Sequence, residues 1–137
     1  MKKIISVVLC LVLFFSVFDT VAFATSENSQ IMPRLNNASA IDSSFIIVDD
    51  EAFVTITCLG YNGVTSKIKI TTELQKRSFI FFWKDVTEWV DISYEANTFI
   101  EHSYSVSSGT YRVKIKYEIS GNGGATDVIE EELEYSY

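Results

Sequence analysis

Histidine is nearly missing from this 137-residue chain, which has one, His102, beside two cysteines and a single proline. So few imidazoles and thiols exclude most zinc sites and Cys/His catalytic pairs, which need several converging groups. One proline and six glycines exclude a collagen-like or low-complexity chain. The glycine cluster at Gly121 to Gly124 precedes a strand pattern, so no helix N-terminus waits there for a phosphate. Positive charge is also short, with 11 Lys and Arg against 18 Asp and Glu. That balance disfavours nucleic acid and anionic membranes as general partners. What is present is apolar and aromatic: 47% hydrophobic and 14% aromatic residues, enough for one domain with its own core.

Residues 1–24 have the form of a secretory signal. Met1-Lys2-Lys3 is basic, Ile4 to Phe18 is uncharged and apolar, and Ala22-Phe23-Ala24 supplies a small-residue cleavage site. The apolar run falls short of the roughly 20 residues that span a bilayer. Cys10 lies deep within it and lacks the preceding small residues of a lipid-bearing cysteine. Cleavage after Ala24 removes Lys2, Lys3 and Asp19, leaving 9 basic and 17 acidic residues and a net charge of −8. The expected location is extracellular. Cys58, the one cysteine left, cannot form an internal disulfide, so the fold must stand on its core.

Residues 25–40 are polar and aperiodic and are expected to form a flexible lead-in. From Ile41 to Tyr137 the period is two, that of β-strands. Ile41–Val48 forms a first strand, closed by Asp49-Asp50. Val54, Ile56 and Cys58 share one face of the next, and Ile68, Ile70 and Leu74 one face of a third. Phe79-Ile80-Phe81-Phe82-Trp83 is continuous and reads as a strand, with Lys84-Asp85 turning the chain before Val86–Ile92. Thr98, Ile100, His102 and Tyr104 share a face. Tyr111, Val113, Ile115 and Tyr117 form the cleanest alternation, against Arg112, Lys114 and Lys116. Ile129, Leu133 and Tyr135 close the chain opposite Glu130, Glu132 and Glu134, with Glu131 misplaced on the inner face. About seven short strands predict an all-β antiparallel sandwich of the immunoglobulin or fibronectin kind over residues 41–137. If the last two strands pair about Gly123, Arg112 faces Glu134, Lys114 faces Glu132 and Lys116 faces Glu130.

Ile31-Met32-Pro33-Arg34, Cys58, Leu74-Gln75-Lys76, Trp83-x-x-Val86-x-x-Trp89 and Gly109-Thr110-Tyr111-Arg112-Val113 together resemble a family of small secreted β-sandwich proteins from Gram-positive, mostly clostridial, bacteria. The resemblance spans most of the chain after Ala24. It implies the fold and secretion. The family carries no assigned activity, so no functional residue transfers. Between Lys76 and Trp83, where relatives are small and polar, this chain has Arg77-Ser78-Phe79-Ile80-Phe81-Phe82.

No catalytic, cofactor-binding or metal residues are assigned. Cys58 lacks a neighbouring cation to activate it and reads as a buried core residue. His102 has no second histidine with which to share a metal and reads as structural. Asp49-Asp50-Glu51 lacks the spaced acidic pattern of a calcium loop and reads as a solvated turn, with calcium as the alternative. Trp83 and Trp89, six apart, lie on one side of a continuous strand, in the core or, if exposed, stacked on sugars. The sharper expectation concerns the aromatic run. If Phe79, Phe81 and Trp83 face the core, Ile80 and Phe82 face away and have no third layer to cover them. Ile80 and Phe82, with Lys76, Arg77 and Lys84 around them, then form a contact patch. The expected function is a non-enzymatic extracellular binding or structural module without a cofactor. Its expected partner is a protein, a surface glycan or a second copy, and not nucleic acid. A membrane-active factor using Phe79–Trp83 is the alternative.

Overall fold

The computed structural model describes residues 34–137. Residues 1–24, read on sequence as a signal, and the earlier part of the expected lead-in lie outside the described residues. Seven strands follow one another: β1 Ala38–Val48, β2 Glu51–Gly60, β3 Thr65–Phe79, β4 Phe82–Ser93, β5 Asn97–Ser105, β6 Thr110–Gly121 and β7 Asp127–Ser136. They form two antiparallel sheets, β1-β2-β5 and β4-β3-β6-β7, the immunoglobulin/fibronectin-like sandwich that the alternation predicts. Residues 38–40, assigned to the lead-in on sequence, extend β1, with Ala38 opposite Gly60 and Ala40 opposite Leu59.

Period two places the large apolar side chains between the sheets. Val54, Ile56 and Cys58 of β2 are buried with Ile68, Ile70 and Leu74 of β3 and Val113, Ile115, Tyr117 and Ile119 of β6. The two flanking seams, where no backbone hydrogen bond joins the sheets, close in the same way. At the β4/β5 seam the His102 ring stacks on Trp89 at 4.6 Å, and its Nε2 lies 2.7 Å from Asp91 Oδ2. At the β1/β7 seam Phe45 meets Tyr135 edge to face at 6.1 Å, and Ser43 donates to Glu131 Oε2 at 2.7 Å. This accounts for the inward Glu131: its carboxylate also accepts from Tyr117 Oη at 3.1 Å. Burial and the adjacent Glu131 charge raise the Tyr117 phenol pKa.

Two polar clasps complete the ends. Asn37 is fully buried; its amide donates to the Ala125 carbonyl and its side-chain oxygen accepts from Gly123 N–H. Asp127 accepts from the backbone N–H groups of Asn36 and Asn37, tying the start of β1 to the β6–β7 hairpin. At the opposite end Tyr111 Oη donates to the Ser107 carbonyl at 2.8 Å and accepts from the Ser107 N–H, the tyrosine corner of Greek-key sandwiches.

The β6–β7 register matches the expectation: Arg112 faces Glu134, Lys114 faces Glu132 and Lys116 faces Glu130. The close ion pairs run diagonally and to β3 instead, from Arg112 to Glu132, Arg77 to Glu134 and Lys69 to Glu118. Exposed pairs of this kind contribute about 0–1 kcal/mol each and act chiefly on register.

The aromatic run departs from the expectation. It is not one strand: β3 ends at Phe79, Ile80-Phe81 make the turn, and β4 starts at Phe82, with Phe79 paired to Phe82. The turn proposed at Lys84-Asp85 does not form, because both residues pair with β3, at Lys76 and Gln75. The Asp49-Asp50 turn is as expected, with φ values of 50° and 61°, a left-handed pair that suits a tight hairpin.

A charge placed between the sheets would have no partner. Val113→Asp or Ile56→Asp is expected to abolish cooperative melting, because an unpaired buried carboxylate costs several kcal/mol from a domain holding about 5–15. Thermal denaturation followed by circular dichroism checks this, and a parent-like transition for both variants would place those residues outside the core.

Candidate functional site

Beyond the Lys76–Tyr111 pair, β3 has no β6 partner. The last residues of β3 and the first of β4 therefore project as a two-stranded finger, about 10 Å at a strand's rise per residue. At its end Phe79 is 65% exposed, Ile80 65%, Phe81 82% and Phe82 66%. Four consecutive large apolar side chains on a projecting hairpin contribute nothing to the core. The inward placement of Phe79 and Phe81 held only for a continuous strand; the chain reverses at Ile80-Phe81, past the last β3–β6 pair, and both are exposed.

A bulge separates the two tryptophans. Leu74 pairs with Thr87 but Gln75 pairs with Asp85, so Val86 is the extra residue. The strand thereby changes face. Trp89 stays inward against His102, with Tyr104 edge-on at 6.4 Å, while Trp83 turns to the outer face of the four-stranded sheet. The expectation that both share one side is thus corrected. Trp83 is covered by two guanidiniums, Arg112 at 4.4 Å and Arg77 at 4.7 Å from the ring centre. Those guanidiniums are themselves held: Arg112 Nε donates to Gln75 Oε1, whose amide donates to Asp85, and Arg77 bonds Glu134. This network stiffens the base of the finger.

The cationic residues divide into two sets. Arg77 is paired with Glu134 and stacked on Trp83. Lys76 and Lys84 face one another directly across the strands. Lys76 donates to the Ser107 hydroxyl and lies 5.2 Å from the Tyr111 ring centre. Among the described residues neither lysine has a carboxylate within ion-pair distance. Like charges placed opposite one another destabilise a strand pair. Lys76 has neutral partners at the tyrosine corner, whereas no core contact explains Lys84.

Other residues singled out on sequence are committed elsewhere. Cys58 is fully buried, and burial pushes its thiol pKa up from 9.0 to about 11. Among the described residues no three His, Cys, Asp or Glu side chains are grouped so as to hold a metal ion. In the Asp49-Asp50 turn, Asp50 accepts from Tyr137 Oη at 3.0 Å. A second apolar surface, the outer face of the three-stranded sheet, was not singled out on sequence. Phe99 is 63% exposed there, beside half-exposed Ile46, Val48, Phe53 and Leu59. The serines and threonines between them, Ser44, Thr55, Thr57 and Ser103, break it up. No protein-family model, curated protein or solved structure matches the chain.

The high thiol pKa carries a prediction. Cys58 stays protonated in the fold where the unfolded thiol ionises, so its contribution to stability is intact below pH 9 and declines from pH 9 to about 11. At pH 8 it should resist a thiol-specific reagent until denaturant is added. Rapid labelling of the native chain would mean that the β2–β6 core opens readily.

Proposed function

We propose that the protein is a secreted, non-enzymatic binding module whose contact element is the tip of the β3–β4 hairpin. Secretion rests on the leader pattern of residues 1–24 and on the likeness of the Cys58, Leu74-Gln75-Lys76, Trp83-x-x-Val86-x-x-Trp89 and Gly109–Val113 motifs to small secreted sandwiches of Gram-positive bacteria. The observation that carries the binding role is the uninterrupted exposure of Phe79, Ile80, Phe81 and Phe82 beyond the core. Apolar patches of this kind mark contact sites. Two findings support a role without catalysis: His102 is held by Trp89 and Asp91 within a seam, and Cys58 is sealed in the core. Sugar stacking on Trp83 is disfavoured, since Arg77 and Arg112 cover that ring.

The test is a double substitution, Ile80→Ser with Phe82→Ser. Both side chains are exposed, so stability should stay within about 0.5 kcal/mol of the parent. Retention of the secreted chain on Gram-positive cell envelopes should fall to background. Equal retention of parent and variant would remove the tip as the contact element. A loss of several kcal/mol in melting would show that the residues hold the fold instead.

A further inference from the structure

We infer that the hairpin tip docks on an anionic phospholipid surface, an inference that rests on the tip being the contact element. The apolar side chains sit on a convex end, two at the turn and two on the strands below it, with Phe81 outermost at 82% exposed. A fluid apolar layer can cover such a knob from all sides, and aromatic residues favour the interfacial zone of a bilayer. Charge points the same way. Lys76 and Lys84 lie opposite one another behind the apolar end, without carboxylate partners among the described residues. Seated at headgroup depth while Ile80 and Phe81 enter the acyl boundary, the two ammonium groups would meet lipid phosphates, which relieve their mutual repulsion. The outer face of β6 and β7 is a mixed ladder in which glutamates answer the lysines, so the unanswered positive charge of the four-stranded sheet's end lies at the finger. The net −8 of residues 25–137, with 9 basic and 17 acidic residues, opposes attraction at a distance, so binding should depend on both apolar insertion and local charge and should weaken with salt.

The experiment is co-sedimentation of the secreted chain with vesicles of mixed phosphatidylglycerol and phosphatidylcholine, and with vesicles of phosphatidylcholine alone, at low and physiological salt. The parent should bind the mixed vesicles and bind phosphatidylcholine about tenfold less. Ile80→Ser with Phe81→Ser should abolish binding with unchanged melting, and Lys84→Glu should weaken it on the mixed vesicles only. Absence of parent binding to the mixed vesicles, or equal binding by the tip variant, overturns the lipid assignment. If the envelopes retain the chain through the tip while pure lipid does not, the target is a protein or glycan, and the binding reading survives without this inference. If neither surface distinguishes the tip variant from the parent, both readings fall.

Discussion

Everything in this molecule follows from having two layers and a period of two. Each strand has one face for the core and one for water, and among the described residues no third layer covers a second apolar set. The inner set, built on Val54, Ile56, Ile70, Val113, Ile115 and Tyr117, fills the space between the sheets, with Cys58 among them as a free, buried thiol. The outer set of β6 and β7 is charged and mutually neutralising, which fixes strand register at little energetic gain. Any large apolar side chain left over must therefore lie at an end or on an outer face. The β3–β4 tip is where this sequence places four of them together.

The seams show how the layers are held where no backbone hydrogen bonds join them. Each uses an aromatic contact with a polar bond beside it, Trp89 and His102 with Asp91 on one side, Phe45 and Tyr135 with Ser43 and Glu131 on the other. Bonds of this sort contribute modestly when made and cost more when broken, because one partner is left part-buried and unpaired. The lone histidine and the inward glutamate therefore serve the fold, whereas the four apolar side chains of the hairpin tip lie outside its core.

Much of the architecture was legible because alternation is a strong local signal. The face carrying Tyr111, Val113, Ile115 and Tyr117 and the register of Arg112, Lys114 and Lys116 against their glutamates could be read from residue types alone. The hairpin at Ile80-Phe81 could not. Its turn has no glycine, asparagine or aspartate, and among the described non-glycine residues only Asp49 and Asp50 have positive φ, so turn chemistry gave no mark. Lys84-Asp85 looked more like a turn than Ile80-Phe81 did. The Val86 bulge was equally silent, since one inserted residue leaves composition unchanged while inverting every side chain beyond it. That inversion put Trp83 and Trp89 on opposite faces. Exposure of Ile80 and Phe82 was anticipated from the lack of a third layer, but the exposure of Phe79 and Phe81 depends on where the chain reverses.

On the proposed reading, contact is made by the projecting apolar finger and not by either sheet face. Hydrogen–deuterium exchange of residues 25–137, free and bound to bacterial cell envelopes, distinguishes the two. New protection should be confined to residues 77–84, with the strands of both sheets unchanged. New protection on the outer face around Ile46, Phe53 and Phe99, or along the charged ladder of β6 and β7, with none at the tip, would contradict it.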